Sequence, residues 1–339
     1  MQNGTVTPTG TARPTLHDVA EHANVSKSLV SLALRGDPGV GEQTRLRILR
    51  SADELGYRSN ALARSLREGR TMLIGAVLSS LDNPYHVEIV AGLEQAAEQA
   101  GLGVIMVHGS KDLDRRARHL DALLDLGVDG VVMIGSRTPA GQLQRAARRT
   151  PVVMVGRSES PIAGIDSVRN DDERGAALAV DHLVGLGRTG IAHVTSGDRP
   201  AGRARRRGYE AAMREHGLSG IRIIERESTA ALPAALTAAH ADGVDAVFAR
   251  NDVEAFDVLD AAVDAGLSVP GDLAIVGYDD TVLARRARPT LTSIVQPRQQ
   301  MGALAVELLR ERQGGRTDDR EEVLSPSIAV RASTAGWRR

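Results

Sequence analysis

The most specific chemical pattern in the chain is a run of small polar and basic side chains near its amino terminus. Ser26, Lys27, Ser28 and Ser31 fall at the start of a short stretch with helical spacing. Hydroxyl and ammonium groups donate hydrogen bonds to phosphate oxygens and base edges, so this pattern is typical of a helix that contacts DNA. Residues 1–70 hold ten Lys/Arg against seven Asp/Glu, a net charge of +3, whereas the whole chain carries −1 at pH 7. The charge asymmetry indicates that the head alone meets phosphates.

Local helix signals predict the elements that position these side chains. Thr15 can cap a first helix, and Ser26 can cap a second one after a very short turn. A third helix is predicted from Thr44 to Leu55, ending at Gly56. Helices joined by so short a turn cross steeply, which predicts an all-α helix-turn-helix head. The alternative is a small helical domain whose basic face is merely solvated.

The segment 59–66, SNALARSL, follows this head and contains helix-forming residues. Isolated helices shorter than about 12–15 residues are marginal in water. The segment is therefore predicted to be disordered alone and to become a hinge helix when it pairs with its symmetry mate over DNA.

From residue 71 the sequence alternates between apolar runs and amphipathic stretches. Strands are predicted at 73–78, 103–108, 130–135, 152–155, 191–195, 246–250, 273–278 and 292–296. Helices are predicted at 86–100, 113–126, 139–148, 172–186, 202–216, 252–265 and 298–312. This order predicts an α/β body of two doubly wound, parallel-sheet lobes, with crossing segments near 160–170, 290–297 and 325–330.

Polar residues follow several predicted strands, at the points where open α/β sheets bind ligands. They are Ser79, Asn251, Asp279 and Gln296; Arg205 begins a helix, and Tyr85 lies in a nearby loop. A carboxylate, a guanidinium and amides in one cleft suit a polyhydroxylated ligand, because hydroxyls both donate and accept hydrogen bonds. Each residue also has a plainer interpretation: Asp279 as a helix cap, Asn251 as a turn residue, and Arg205 as part of the surface run 203–207.

Other motifs point away from catalysis. The GLGRTG segment at 185–190 follows a helix and precedes a strand, the reverse of the dinucleotide-binding order. There is no P-loop, G-x-S-x-G or H-E-x-x-H, no Cys, and the nine His lack ligand spacing. No signal peptide and no apolar run of 18 residues is present. We therefore expect a cytoplasmic protein that is not an enzyme and has no cofactor, no metal site and no membrane span.

The head resembles, without gaps, the DNA-binding domain of the LacI/GalR family of bacterial transcriptional repressors. The matching segments are TLHDVA, ANVSKSLVS, VGEQTR and ELGYRSNALARSL. The resemblance implies that His17, Lys27 and Ser28 lie near base edges, and that Ser26, Asn60 and the third helix start lie against the backbone. It also implies that Leu66 wedges into the minor groove. The predicted DNA-binding residues are Thr15, His17, Ser26, Lys27, Ser28, Ser31, Leu32, Arg35, Asn60, Ala61, Arg64 and Leu66.

The head departs from the family pattern in its second helix. The family usually has Arg where this chain has Leu32, and commonly has Thr at Leu29 and Asn at Arg35. An Arg can read guanine through two hydrogen bonds, which is worth about 1–3 kcal/mol of discrimination. Leu32 cannot do so, although it can contact a thymine methyl group. We expect an operator that differs from the family consensus.

The body resembles the periplasmic-binding-protein-like core of the same repressors. The resemblance implies that the effector is bound by Ser79, Tyr85, Arg205, Asn251, Asp279 and Gln296. Where family members often place an acidic residue after the fourth strand, this chain has Gly156 and Arg157, and VRND at 168–171 departs from the common V-x-x-D-N. Arg157 could favour an acidic or phosphorylated sugar.

These observations predict a homodimeric, effector-responsive regulator that represses a carbohydrate-related operon. It would bind a near-palindromic operator in double-stranded DNA and a sugar or sugar derivative. The predicted domains are a disordered tail (1–14), the head (15–58), a hinge and linker (59–70) and the body (71–339). The lobes are an N-lobe of about 71–167 plus 297–325 and a C-lobe of about 168–296 plus 326–339.

The chain ends soon after its final predicted strand, which favours a dimer over a tail-mediated tetramer. A solute-binding protein of periplasmic type is the alternative, opposed by the head and the missing export signal; an activator or dual regulator stays open.

Overall fold

A computed structural model describes residues 14–57, 70–109, 112–135, 138–226 and 228–335. The chain forms two compact units, Met1–Thr71 and Met72–Arg339. Three predicted features lie outside the described part of the chain. They are the tail up to residue 13, the hinge helix with Asn60, Ala61, Arg64 and Leu66, and the side chain of Arg35.

The head contains helices α1 (Leu16–His22), α2 (Lys27–Arg35) and α3 (Glu42–Glu54). Thr15 and Asp18 form a capping box at the start of α1, and the hydroxyl of Ser26 accepts a hydrogen bond from the Leu29 amide at the start of α2. The predicted third helix is wrong at its start, since α3 begins at Glu42 rather than Thr44. The three helices enclose their own apolar core, which consists of Val19, Ala20, Ala23, Val30, Ala33, Ile48 and Ala52.

The body contains two six-stranded sheets that have the same strand order. The first sheet has the order β11 (Glu321–Leu324), β5 (Asp166–Asn170), β4 (Val152–Val155), β3 (Gly130–Ile134), β1 (Leu73–Leu78) and β2 (Gly103–His108). The second has the order β12 (Ser327–Ala329), β10 (Thr292–Val295), β9 (Ala274–Asp279), β8 (Ala246–Ala249), β6 (Ile191–Thr195) and β7 (Arg222–Glu225). Every strand pair is parallel except β10 with β12. The predicted fold class, an α-helical head with two parallel-sheet lobes, is confirmed.

The first sheet forms the N-lobe. Its strands are β1 (Leu73–Leu78), β2 (Gly103–His108), β3 (Gly130–Ile134), β4 (Val152–Val155), β5 (Asp166–Asn170) and β11 (Glu321–Leu324). Its helices are α4 (Pro84–Gln99), α5 (Leu113–Asp125), α6 (Ala140–Ala147) and α12 (Arg298–Gln313). Buried apolar clusters cover both faces of the sheet, as a parallel sheet requires.

The second sheet forms the C-lobe. Its strands are β6 (Ile191–Thr195), β7 (Arg222–Glu225), β8 (Ala246–Ala249), β9 (Ala274–Asp279), β10 (Thr292–Val295) and β12 (Ser327–Ala329). Its helices are α7 (Asp172–Gly185), α8 (Pro200–Glu215), α9 (Leu232–Ala241), α10 (Asp252–Asp264) and α11 (Val282–Arg286). Apolar clusters again lie on both faces.

The chain crosses between the lobes after β5, after β10 and between β11 and β12. The first crossing follows Asn170, so the predicted N-lobe boundary at residue 167 was too early. The sequence patterns did not identify β5, β7, β11, α9 or α11. Strand β5 was interpreted as a crossing segment because Val168 is its only apolar residue. Strands β7 and β11 are edge strands of four residues, and each contains two charged residues.

Helices α4 and α12 pack unusually closely in the N-lobe, and glycines permit it. A Cβ atom on Gly92 would lie 2.1 Å from the carbonyl oxygen of Gln299, and one on Gly302 would lie 2.1 Å from that of Ile89. No other residue fits at either position without moving a helix. The contact holds the amino-terminal ends of both helices beside the carboxyl edge of the sheet.

Candidate ligand cavity and nucleic-acid interface

The head presents the predicted DNA-contacting side chains on its surface. Thr15, His17, Ser26, Lys27 and Ser28 are exposed, whereas Ser31 and Leu32 are partly buried. The exposed residues of α2 lie in its first turn, the part of a recognition helix that reaches base edges. Their contacts with DNA stay a prediction.

One arginine of the basic head has an internal role instead. The guanidinium of Arg45 donates hydrogen bonds to the carbonyl oxygens of Asp37, at 2.5 Å, and Ala33, at 3.4 Å. It thereby fixes the loop between α2 and α3. The net charge of the head therefore overstates the number of side chains that are available to phosphates.

A cavity of about 660 Å³ lies in the body, at the carboxyl ends of the strands of both sheets. It is lined by all six predicted effector-binding residues, namely Ser79, Tyr85, Arg205, Asn251, Asp279 and Gln296. Its size is within the range of cavities that bind small molecules. The structure brings the six residues together, and their contacts with a ligand remain a prediction.

Asp279 lies at the end of β9 in a strained turn. Its φ is +106° and that of Asp280 is +52°, conformations that cost side-chain-bearing residues about 1–3 kcal/mol each and persist only where neighbours impose them. The amide of Gln296 donates a 2.5 Å hydrogen bond to the Asp279 carboxylate. The side chain of Arg298 donates to the Asp280 carbonyl oxygen at 2.8 Å, and Ser293 accepts from the Asp280 amide at 3.0 Å. The turn is therefore fixed before any ligand binds.

A buried carboxylate beneath the cavity completes this turn. Asp252 is fully buried and accepts hydrogen bonds from Thr281 N at 2.6 Å, Thr281 Oγ1 at 2.9 Å and Ser293 Oγ at 2.6 Å. Burial and the neighbouring Asp279 carboxylate raise the pKa of Asp252. Burial also raises the pKa of Asp279, to about 6, against the opposing effect of Arg205 and Arg298. Asp252 supports the cavity wall and is not among the residues that line it.

Arg205 is a buried residue of the cavity wall and does not belong to the solvated surface run. Its Nε donates to Asp172 Oδ1 at 3.0 Å, its Nη1 donates to the carbonyl oxygen of Arg250 at 2.6 Å, and it lies 3.7 Å from Asp279 Oδ1. Its guanidinium stacks 3.6 Å from the ring centre of Tyr278. These contacts orient its remaining N–H groups. The neighbouring arginines Arg203, Arg206 and Arg207 form surface ion pairs instead.

Asn251 lies in the turn between β8 and α10, as predicted, and it also lines the cavity. Its side-chain oxygen accepts from the Glu254 amide at 2.9 Å and so caps α10. Because this bond fixes the oxygen, the amide nitrogen is the atom that remains for a ligand.

The N-lobe wall contains Ser79, Tyr85 and a histidine that the sequence patterns did not identify. Burial lowers the pKa of His86 to about 4, so its imidazole is neutral at pH 7. Its Nδ1 lies 3.0 Å from the Ser80 carbonyl oxygen and therefore carries the proton. Its Nε2, 3.3 Å from Ser79 Oγ, then accepts from that hydroxyl. Ser79 is left with acceptor capacity towards the cavity. Tyr85 Oη makes only a long contact, 3.9 Å, with Met301 Sδ.

Asn170 also lines the cavity and was not predicted, because β5 was not recognised as a strand. The residue is 2% exposed, and its Nδ2 donates to Tyr278 Oη at 2.7 Å. Its Oδ1 is buried and has no hydrogen-bond partner among the described residues. An unsatisfied buried carbonyl oxygen at a cavity wall is complementary to a hydroxyl or amine of a ligand.

A polar cluster at the ends of β6, β7 and β8 extends the C-lobe wall. Arg250 Nη2 donates to Ser196 Oγ at 3.1 Å and to the buried Glu254 carboxylate at 2.9 Å, and Arg226 donates to Asp257 at 2.6 Å. Ser196, Arg226 and Arg250 all line the cavity. Arg226 could not be found from sequence because the short strand that precedes it was not identified.

The described part of the chain contains neither a metal-binding cluster nor a membrane-spanning helix. No group of three or more His, Asp or Glu has an arrangement that could hold a metal ion within these residues. No helix among them is long and apolar enough to cross a membrane.

Two family models match the chain. "Bacterial regulatory proteins, lacI family" matches residues 15–60, and "Periplasmic binding protein-like domain" matches residues 180–334. The first contains the helix-turn-helix, and the second contains most of the C-lobe and the end of the N-lobe.

Relatives match over almost the whole length of the chain. Catabolite control protein A of Priestia megaterium is 32% identical over 338 residues, which cover 94% of this chain and 99% of that protein. The ribose operon repressor of Escherichia coli (strain K12) is 33% identical over 307 residues, covering 88% and 92% of the two chains.

Among solved structures, the lac repressor dimer bound to operator and the anti-inducer ONPF aligns with a TM-score of 0.84. It is 26% identical and covers 96% of this chain and all of that one. The match therefore includes both the head and the two-lobed body. By these similarities the chain belongs to the LacI family of bacterial regulatory proteins, and it is a DNA-binding transcriptional regulator, not an enzyme.

Proposed function

We propose that this regulator is a cytoplasmic homodimer that represses a carbohydrate-related operon, and that a sugar in the body cavity controls its operator affinity. The observation that carries the proposal is the convergence of six polar side chains from both lobes on one cavity. The fixed Asp279 carboxylate is one of them. The names of the ribose operon repressor and the operator-bound lac repressor dimer support a sugar ligand and a dimer on DNA.

The chemistry of the wall favours a sugar over a flat heteroaromatic ligand. Among the residues that line the cavity in the described chain, Tyr85 is the only Phe, Tyr or Trp. A purine-like ring normally needs aromatic or apolar faces on both sides. The wall instead offers carboxylate oxygens, amide groups and guanidinium N–H groups. Hydroxyls satisfy both kinds of group, because each can donate and accept.

The proposed route from ligand to DNA begins at the turn that holds Asp279. Arg298 joins this turn to α4, because its Nε and Nη2 donate to Glu88 Oε2 at 2.9 Å and 2.8 Å while Nη2 also donates to the Asp280 carbonyl oxygen. Arg285 of the C-lobe approaches the same Glu88 at 3.5 Å. A ligand that pulls on Asp279 therefore acts on both lobes at once.

Movement of the lobes would alter the separation of the two hinge segments in the dimer and so order or melt them. A coupling of about 1–3 kcal/mol would change operator affinity about 5- to 150-fold. The DNA contacts would come from the head residues Thr15, His17, Ser26, Lys27, Ser28, Ser31, Leu32 and Arg35, and from Asn60, Ala61, Arg64 and Leu66 of the hinge.

A paired ligand and DNA experiment tests the proposal. Purified full-length protein is screened by thermal shift against neutral pentoses, hexoses and disaccharides and their phosphates, with nucleobases as controls. Any sugar that raises Tm is then added to gel shifts on operator fragments selected from random DNA. We expect at least one sugar to bind and to change operator affinity at least fivefold. Binding of nucleobases alone, or sugar binding without an effect on DNA, would refute the proposal.

The hinge is tested separately with Leu66→Ala. Loss of an apolar wedge should weaken specific operator binding at least tenfold and leave sugar affinity unchanged, because the cavity lies in the other unit. Leu186→Ala, at an exposed leucine of the body, is the matched control and should alter neither property. Unchanged operator affinity in Leu66→Ala would remove the wedge from the mechanism.

A further inference from the structure

Two oppositely charged side chains meet in the cavity wall. Arg157 and Asp172 both line the cavity, and Arg157 Nε lies 3.3 Å from Asp172 Oδ2. The positive charge of Arg157 is therefore next to a carboxylate of the protein itself.

Both oxygens of the Asp172 carboxylate are occupied by guanidinium groups. Oδ2 faces Arg157, which follows β4 in the N-lobe, and Oδ1 accepts from Arg205 of α8 in the C-lobe at 3.0 Å. The side chain of Asp172 is 4% exposed and that of Arg157 is 18% exposed. At such burial an ion pair is weakly screened, so Arg157 is held by a charge already present in the wall.

Three of the other arginines that line the cavity show the same arrangement. Arg250 contacts Glu254 at 2.9 Å, and Arg226 contacts Asp257 at 2.6 Å. Arg205 contacts Asp172 and approaches Asp279. A phosphate or carboxylate on a ligand would have to displace one of these carboxylates or lie beside it. A neutral polyol only has to replace water at the free N–H and oxygen sites.

We propose that Asp172 is a specificity-determining residue: by neutralising Arg157, it makes the cavity select an uncharged polyhydroxylated ligand and reject its phosphorylated counterpart. This reverses the expectation that Arg157 alone suggested, an acidic or phosphorylated sugar. The inference rests on the proposed function, because it specifies the class of sugar that the same cavity binds.

The test removes the charge of Asp172 with the least change in shape. Asp172→Asn keeps an oxygen for Arg205, while Arg157 loses its anionic partner. Full-length wild type, Asp172→Asn and the double variant Asp172→Asn/Arg157→Gln are titrated calorimetrically with inorganic phosphate. Circular dichroism and thermal unfolding confirm that each variant is folded. Ribose with ribose 5-phosphate, and glucose with glucose 6-phosphate, form matched pairs in a second set of titrations.

We expect folded Asp172→Asn to bind phosphate at least tenfold more tightly than wild type. The double variant should lose this gain in phosphate affinity. In whichever sugar pair wild type binds, its affinity for the neutral sugar should be at least tenfold higher than its affinity for the phosphorylated one. In Asp172→Asn this ratio of affinities should be smaller or reversed. Arg157→Gln in the unaltered chain provides a second test if Asp172→Asn does not fold. Its preference for the neutral sugar should persist.

Three results would overturn the inference. They are tighter binding of the phosphorylated sugar by wild type, no gain of phosphate affinity in folded Asp172→Asn, and a tenfold loss of sugar-phosphate affinity in Arg157→Gln. Failure of wild type to bind any sugar would instead refute the proposed function. The inorganic phosphate titration would still decide whether Asp172 masks Arg157.

Discussion

The two walls of the cavity differ in how firmly their polar side chains are held. On the C-lobe wall, Asp279 is fixed by a strained turn and by a 2.5 Å hydrogen bond from Gln296, and Arg205 is held by three polar contacts and a stacked ring. On the N-lobe wall, the Ser79 hydroxyl has one described hydrogen bond, of 3.3 Å, and the one described contact of Tyr85 Oη is with sulfur, at 3.9 Å.

This difference suggests a division of labour between the lobes. Groups that are already oriented lose little entropy when they bind a ligand, so the C-lobe should supply most of the affinity. The N-lobe side chains can adjust when the lobes close, so they should contribute less affinity and more to the change of shape. Substitutions and pH can separate the two contributions.

The largest effect is expected for Asp279→Ala, which removes the preorganised acceptor of the C-lobe wall. A hydrogen bond to a charged group is worth about 1.5–3 kcal/mol, so ligand affinity should fall roughly ten- to 150-fold. Calorimetry with the sugar found by screening measures this loss, and gel shifts should show normal operator binding without ligand. Asp82→Ala, which removes an exposed carboxylate from the N-lobe wall, is the control and should cost less than threefold. Equal losses in the two variants would contradict the comparison.

A second prediction concerns pH. Because burial raises the pKa of Asp279 to about 6, its carboxylate takes up a proton as pH falls through that value and then loses acceptor capacity. Affinity should therefore be constant above pH 7 and fall about tenfold by pH 5. The profile is measured by calorimetry at fixed ionic strength. Asp279→Asn, which cannot titrate, should bind weakly with a flat profile; a sloping one would assign the effect to another group.

Asn170→Ala should have an intermediate effect, since Asn170 is on an N-lobe strand but bonds to Tyr278 of the C-lobe. Loss of its unsatisfied oxygen as a ligand acceptor should cost about 0.5–1.5 kcal/mol, or roughly two- to tenfold in affinity. Tyr278→Phe removes only the partner hydroxyl and serves as the matched variant. If Tyr278→Phe costs as much as Asn170→Ala, the role of Asn170 is indirect.

The smallest effect is expected for Tyr85→Phe in the N-lobe wall. The ring stays in place and only the long contact to Met301 is lost, so the free energy of unfolding should change by less than about 0.5 kcal/mol. Ligand affinity should fall by no more than about threefold. Urea unfolding and calorimetry on the same preparation provide both numbers. A larger loss of affinity than in Asn170→Ala would show that the N-lobe wall is as preorganised as the C-lobe wall.

The head could be predicted largely from short segments of sequence. Its helix starts are determined by residues within three positions of one another, such as Thr15 with Asp18 and Ser26 with Leu29. The predicted start of α3 was wrong because this helix has no side-chain cap: its N-cap residue is Gly41. Likewise, the internal role of Arg45 depends on contacts with a different helix and loop.

The cavity could be predicted only in part, because its residues come from strand ends that are distant in sequence. Ser79, Asn251, Asp279 and Gln296 follow strands with strong apolar patterns, and their positions followed from the rule for parallel sheets. Asn170 ends β5 and Arg226 follows β7, and the few apolar residues of these two strands gave no comparable signal. The pairing of Arg157 with Asp172 joins two lobes, so no local pattern could indicate it.

The self-contained apolar core of the head has a practical consequence for protein engineering. Val19, Val30, Ile48 and their neighbours form this core entirely from residues 16–57, so the head has a hydrophobic core of its own. The head is therefore suited to domain exchange. When it is fused to the effector-binding body of another family member, the hybrid should bind the operator of this protein and respond to the effector of the other. Conversely, the body of this protein can be fused to a DNA-binding domain whose operator is known. A reporter strain that carries this operator would then allow the ligand of the body to be identified.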